Sequence, residues 1–225
     1  VVSRRSRIDS AVATTRGDDG TTGLLYGGDR IQKDDPRTEA YGTIDEVVAA
    51  LGLARATLAA GRAGAPSLRS EPPAFGDLGE LILRFQRELF VAGAELATNP
   101  AAWDRLEDGR TRVSAAMLAE LEATLVAAEA SITMPAEFVV PGETLTSAAL
   151  ELARTILRRA ERRVVALRRE GFVPGEYLLP YLNRLADLLW VLARAAEEAE
   201  SRVATPARAA RPARTRGSGP AGGTR

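Results

Sequence analysis

FVVPGETLTSAALELARTILRRAERR, residues Phe138 to Arg163, is the stretch whose reading decides the fold. Pro141-Gly142 is a turn. After it the chain reads as one helix to about Gly171, a residue suited to close a helix by taking positive φ. Leu150, Ala153, Leu157, Ala160, Val164 and Leu167 recur at intervals of three and four, which makes a single apolar stripe. About a third of a turn away sit Glu151, Arg154, Arg158, Arg159, Glu161 and Arg162. Two readings of these charges stand side by side. A solvated face laced with i,i+4 ion pairs would use them. So would a site for phosphate, because Arg side chains on a rigid helix grip phosphate by paired hydrogen bonds.

The whole chain has 225 residues and is 45% hydrophobic, enough for one domain with a buried core. Mean hydropathy is −0.10. No run approaches the ~20 apolar residues of a membrane span. The start, VVSRRSRIDSAVATTR, lacks the apolar core of a secretory signal, so residues 1–12 read as a disordered leader. A cytoplasmic setting is the expectation. Cys and His are both absent. That excludes disulfides, thiolate chemistry, imidazole bases and the commonest zinc ligand. It also excludes a di-iron bundle built on Glu-x-x-His pairs. Basic and acidic residues balance at thirty each, so no global field selects nucleic acid. Of the thirty basic residues only one is Lys, Lys33. Either it is chance in an Arg-biased chain, or that position needs a compact ammonium.

Working outward, Thr14-Thr15-Arg16-Gly17-Asp18-Asp19-Gly20-Thr21-Thr22-Gly23 offers backbone N–H groups and hydroxyls to an anion. A plain polar loop would have the same composition. The order of a Walker A loop is missing. Leu24-Leu25-Tyr26 reads as a short extended piece, and Lys33-Asp34-Asp35-Pro36 as a turn leading into a helix. Helices are expected over about 38–60, 77–97, 114–130, the opening stretch, and 176–201, where Pro180 fits only a first turn. Residues 61–76 read as a flexible connection. Residues 202–225 hold Pro, Gly, Ala and Arg without an acid and read as a disordered tail. The fold class expected is all-α, a five-helix antiparallel bundle with disordered ends. The domain is placed at 13–201, with 13–37 as its Gly/Thr-rich segment.

Four blocks in order now carry a resemblance. GDDGTTGLLYGGDRIQKDDPRTEAYGTIDEVVAALG, FVVPG, ARTILRRAERRVVAL and YLNRLADLLWVLAR resemble the PduO-type ATP:cob(I)alamin (corrinoid) adenosyltransferases, over residues 14–200. The resemblance implies a homotrimer with active sites between subunits. It implies that Thr14, Thr15, Arg16, Gly17, Thr22 and Gly23 wrap the triphosphate of ATP. Lys33 matches the family's phosphate lysine. Arg158, Arg159, Glu161, Arg162 and Asn183 would complete the nucleotide site. Asp45 and Arg154 match a pair that bridges subunits near cobalamin, Asp187 falls on the cobalamin side, and Phe138 matches an aromatic against the lower face of cobalt. Arg158, Asp45, Arg154 and Phe138 are thus the expected catalytic set. Glu143 and Glu151 depart from the pattern, standing where Gly and His are common.

The implied reaction needs no His or Cys. Cobalt(I) is itself the nucleophile: it attacks C5′ of ATP, and triphosphate leaves. The protein orients the reactants, an effect worth roughly 7–11 kcal/mol. It also neutralises the leaving group with Arg, Lys33 and Mg²⁺, the ion carried mainly by the ATP phosphates. Phe138 would exclude the lower axial ligand and so ease cobalt(II) reduction. A reductase, or an enzyme that takes up adenosylcobalamin, is the protein partner implied. No nucleic acid or membrane partner is expected. The rival reading is a nucleotide-binding regulatory or interaction bundle without transferase activity.

Overall fold

A computed structural model describes residues 10, 12–64 and 74–208. Among them are five α-helices: α1 Pro36–Gly64, α2 Leu78–Ala97, α3 Ala115–Ala130, α4 Leu145–Arg169 and α5 Leu178–Ala199. Side-chain caps set most of their starts. Asp35 Oδ1 accepts from the backbone N–H of Arg37 ahead of α1, where Pro36 takes the first helical position. Asp77 caps α2, Ser114 caps α3, and Thr144 with Ser147 makes a reciprocal capping box on α4. Gly171 closes α4 at φ +80°, and Phe172 N–H donates back to the Leu167 carbonyl at 2.9 Å.

α4 lies between α1 and α5; α2 packs on the other side of α1, and α3 on α5. All six residues of the α4 stripe are buried. So are the six expected on α2 (Leu78, Leu81, Phe85, Leu89, Ala92, Leu96) and the five expected leucines of α5. On α1 the buried row is Ala40, Ile44, Val47, Leu51 and Ala54, with Tyr41, Val48 and Leu58 only partly covered. Small residues there suit a helix pressed between two others. Arg159 pairs with Glu46 and Arg163 with Glu39, so rising numbers on α4 meet falling numbers on α1 and the two helices are antiparallel. Between α2 and α5, the Tyr181 hydroxyl donates to Glu88. Burial raises the pKa of both groups, which keeps the phenol a donor.

The structure corrects several boundaries. α1 begins two residues earlier than expected and runs on through Gly61 to Gly64. A 3₁₀ helix, Pro100–Arg105, follows Asn99, whose side chain caps it. Short strands occur where no alternation could announce them: β1 Thr21–Thr22 pairs antiparallel with β2 Ile31–Gln32, and β3 Val139–Val140 with β4 Thr205–Pro206. β4 carries ordered chain beyond 201, where a disordered tail was expected to begin at 202. The expected leader (apart from residues 10 and 12), residues 65–73 of the expected connection, and the tail past 208 lie outside the described residues.

Candidate active site

The Gly/Thr-rich segment folds into a hairpin ahead of α1. Its turns close through Asp18 N–H to the Thr15 carbonyl and Gly20 N–H to the Gly17 carbonyl, with Thr15 at φ 57°. The backbone N–H and hydroxyl of Thr21 donate to Asp19 Oδ1 at 2.9 and 2.8 Å. The backbone bond is the larger cause that holds the Asp19 carboxyl below its usual range. Arg30, which no sequence motif marks, ties the hairpin together. Its Nε donates to Thr21 Oγ1 at 2.6 Å, and its Nη2 to the carbonyls of Arg16 and Thr21 at 2.8 and 2.9 Å. Lys33 N–H donates to the Gly20 carbonyl, and the Lys33 side chain lies along Gly17. A Cβ on Gly17 would stand 2.9 Å from Lys33 Nζ, so any larger residue there would push the ammonium aside from its present position. Thr14, Arg16, Gly23 and Lys33 remain exposed. The hairpin therefore draws Arg16 to Arg30 and Gly17 to Lys33. Leu25 moors it to the end of α2 through bonds with Ala97 and Asn99.

The Arg stripe of α4 divides. Arg159 and Arg163 turn toward α1, where Arg159 meets Glu46 and Arg163 meets Glu39 and Thr43. The ion-pair reading holds for these. Arg158 and Arg162 have no carboxylate partner among the described residues, and both are exposed. Arg162 donates to the Arg158 carbonyl at 3.0 Å. Glu161 accepts from Asn183 Nδ2 at 3.0 Å, joining two expected nucleotide contacts across α4 and α5.

On the α3–α5 side of α4 lies an open cleft of about 840 Å³. Phe138, Arg154, Arg158 and Asp187 line it together, so four expected site residues converge. Phe138 is 89% exposed, which excludes a core role within this chain. Arg184 and Trp190, not foreseen from the sequence, line the cleft as well. Arg184 reaches both Asp187 at 3.0 Å and Glu122 at 3.4 Å.

Beneath this cleft is a buried charge cluster. Glu151 is 4% exposed; its Oε2 accepts from Arg154 Nε at 2.7 Å, and its Oε1 lies 3.3 Å from Arg194 Nη1. Arg194, 2% exposed, also donates to Glu197 at 2.8 Å. The departure at Glu151 is thus a carboxylate that balances a buried guanidinium and aims Arg154. Arg194 thus has one carboxylate partner on its own helix, Glu197, and one on α4, Glu151. Asp45 is exposed on α1, outside the cleft, and Arg154 takes Glu151 rather than Asp45 within one chain. No residue of the Gly-rich hairpin lines the cleft either.

Among the described residues no group of three or more His, Cys, Asp or Glu could hold a metal ion. None of their helices is long and apolar enough to cross a membrane.

The family model for cobalamin adenosyltransferase matches residues 12–196. A corrinoid adenosyltransferase of Citrobacter freundii is 39% identical over 186 residues, covering 83% of this chain and 94% of that protein. One from Bacillus subtilis is 40% identical over 181 residues, covering 80% and 83%. Among solved structures, a variant of the PduO-type ATP:corrinoid adenosyltransferase of Lactobacillus reuteri complexed with ATP is similar at TM-score 0.72 and 27% identity. That match covers 88% of this chain and 100% of the other. Another variant of the same enzyme, complexed with cobalamin and ATP, is similar at TM-score 0.71 and 28% identity, covering 88% and 99%.

Proposed function

This chain belongs to the cobalamin adenosyltransferase family, and from that premise we propose how its residues divide the work of adenosylating a corrinoid. The reaction transfers the 5′-deoxyadenosyl group of ATP to cob(I)alamin. The lone pair of cobalt(I) attacks C5′, a cobalt–carbon bond forms, and the C5′–O bond breaks with its electrons leaving on triphosphate. The protein need supply neither base nor covalent residue, which suits a chain without His or Cys.

In this reading Thr14, Thr15, Arg16, Gly17, Thr22, Gly23 and Lys33 hold the triphosphate, and Arg30 keeps their hairpin in shape. Arg158, Arg162 and Arg159, with Glu161 and Asn183, complete the nucleotide site, and Arg158 meets the charge that gathers as triphosphate leaves. Phe138, Arg154 and Asp187 face the corrinoid, with Asp45 supplied across a subunit boundary. The observation that carries this assignment is the convergence of Phe138, Arg154, Arg158 and Asp187 on one cleft, with Arg158 exposed and paired to no carboxylate among the described residues. Mg²⁺ would arrive on the phosphates of ATP, since the described residues offer no carboxylate cage for it. Bound there, it supplies further neutralisation of the triphosphate.

The hairpin and the cleft belong to one reaction yet do not meet within one chain. That separation supports a homotrimer, in which the hairpin of one subunit serves the cleft of the next. A cytoplasmic setting fits a consumer of ATP and reduced corrinoid. Its partners there would be a reductase that yields cobalt(I) and an enzyme that takes up the product. The deciding experiment mixes the protein with ATP, Mg²⁺ and chemically reduced cobalamin and follows the visible spectrum. Growth of the adenosylcobalamin bands is expected. A rise in melting temperature with ATP but no such bands would instead make this a regulatory nucleotide binder. Light scattering should give three chains per particle, and a lone monomer would overturn the shared site.

A further inference from the structure

Phe138 stands on a segment that no helix holds. β3 (Val139–Val140) follows it directly, and Phe138 itself is 89% exposed. What fixes this segment is chain from beyond α5. Ala207 N–H donates to the Phe138 carbonyl at 2.7 Å. Val139 pairs with Pro206 and Val140 with Thr205. Glu143, on the far side of the Pro141-Gly142 turn, accepts from the Thr205 hydroxyl at 2.5 Å and lies 3.9 Å from Arg202. The crossing begins at a tight exit from α5: Ser201 takes φ 55°, and Arg202 N–H donates to the Glu197 carbonyl at 2.9 Å. Glu197 is also the carboxylate that pairs with Arg194 in the buried cluster. The returning chain then reaches the cleft itself, where Ala207 and Arg208 form part of the wall.

We propose that residues 202–208 are a strap that sets the position of Phe138 in the cleft, with Glu143 as its clasp. Glu143 and Ala207 are positioning residues: they act on the corrinoid through Phe138. The inference rests on the reading of Phe138 given above. Its physical basis is the small size of the contact. A two-residue ladder in solvent has no packing to steady it, so one side-chain hydrogen bond and one backbone bond decide whether it closes. The carboxylate of Glu143 supplies the charge-assisted one. Glycine, usual at this position in the family this chain resembles, has no side chain that could reach Thr205.

The test uses the full-length protein and four variants: Phe138→Ala, Glu143→Ala, Glu143→Gln and Ala207→Pro. Adenosylation is measured twice, once from cobalt(II) with an external reductant and once from cobalt(I) made chemically beforehand. Amide hydrogen exchange at Ala207 reports the strap independently of activity. Phe138→Ala should lose about tenfold or more from cobalt(II) and much less from cobalt(I). Glu143→Ala and Ala207→Pro should reproduce that split in weaker form, with the KM for ATP unchanged. In Glu143→Ala the Ala207 amide should also exchange faster. Glu143→Gln keeps an acceptor for Thr205 and should restore most of both signals. If Phe138→Ala shows the split but Glu143→Ala and Ala207→Pro match wild type, the strap is overturned and the reading of Phe138 survives. If Phe138→Ala itself matches wild type from cobalt(II), both fall.

Discussion

The Gly/Thr-rich hairpin before α1 and the cleft beside α4 hold their functional groups by different means. Inside the hairpin the bonds are local: the longest that Arg30 makes reaches back only to Arg16, and the turn bonds span three residues. In the cleft they are distant. Arg154 is aimed by Glu151, which is itself balanced by Arg194 on α5, and Phe138 depends on Thr205 to Ala207. On α4 the cleft is lined by Arg154 and Arg158, whereas the start of α1, which the hairpin leads into, meets the helix at Arg163. A hairpin closed on itself can be carried to another subunit without losing its shape. A cleft assembled from three helices and a returning strand must stay with its own chain. That asymmetry suits a site shared between subunits, in which one chain lends a loop and the next supplies the wall.

The largest effect should come from separating the two faces of the Arg stripe. Arg158→Ala removes from the cleft a cation that no carboxylate among the described residues pairs with, and kcat should fall by about 10²–10³, as when a donor to a developing charge is removed. Its melting temperature should hold. Arg163→Ala should do the opposite, because Glu39 and Thr43 lose a partner at the α1–α4 seam. It should melt earlier, with turnover little changed. Equal kinetics in the two variants would break the distinction between the paired and unpaired faces.

Phe138→Ala sharpens the contrast from the cleft side. A buried Phe cut to Ala costs about 3–5 kcal/mol, whereas an exposed one should leave stability within about 0.5 kcal/mol. Phe138 is 89% exposed, so unchanged melting and unchanged ATP affinity are expected, with the loss confined to reactions begun from cobalt(II). Early unfolding of the variant would show Phe138 packed against something the single chain does not contain.

How much of this was legible follows the same division. The α4 stripe was read residue by residue, because a buried face repeats at the helical period and all six members are buried. Caps and stops at Asp77, Asn99, Ser114 and Gly171 are local signals and were equally readable. Lys33 stood out by composition, and the hairpin by its glycines. Arg194 did not: an Arg with Glu197 three residues on reads as an ordinary surface pair, and only the fold buries it against Glu151 of α4. Nor did β3 and β4: two residues are too few to show alternation, and each is a strand only because the other is there. Periodicity could not bring Phe138 and Arg158 together either; the fold places both on one cleft.

Lys33→Ala tests the hairpin. Removing a charged donor costs ~1.5–3 kcal/mol, so the KM for ATP should rise tenfold or more while the cobalt(I)/cobalt(II) ratio stays at the wild-type value. Gly17→Ala should weaken ATP in the same direction, since its Cβ would displace Lys33. Arg162→Ala should be milder than either, because Arg162 lies outside the cleft. A Lys33 variant with wild-type ATP kinetics would remove the hairpin from the nucleotide site.

The last prediction has the least effect on rate and concerns what anchors the hairpin end. Glu95, fully buried in the last turns of α2, precedes the Ala97 carbonyl that receives Leu25 N–H. Its carboxylate accepts from Val113 N–H at 2.8 Å and Gly175 N–H at 3.0 Å, stitching α2 to the segments before α3 and before α5. Burial is the leading influence and raises its pKa from 4.5 to about 7, against the two N–H donors and Arg112, with Asp108 adding to the rise. The folded chain therefore binds a proton more tightly than the unfolded one. The stabilisation from that proton is complete below pH 4.5 and is lost as pH rises to about 7. The slope should reach up to about 1.4 kcal/mol per pH unit, or about 3 kcal/mol in all. Melting temperature, corrected for other carboxylates by comparison with Glu95→Gln, should thus fall from pH 5 to pH 7 and level off above it. Glu95→Gln should flatten this slope at the cost of one hydrogen bond, because its amide N–H₂ would face a backbone N–H. Turnover at saturating ATP and cobalt(I) should stay near wild type in that variant, since Glu95 touches neither the cleft nor the phosphate surface of the hairpin. If wild type and Glu95→Gln melt with the same pH dependence, the two N–H donors outweigh burial and Glu95 is an ordinary carboxylate throughout that range.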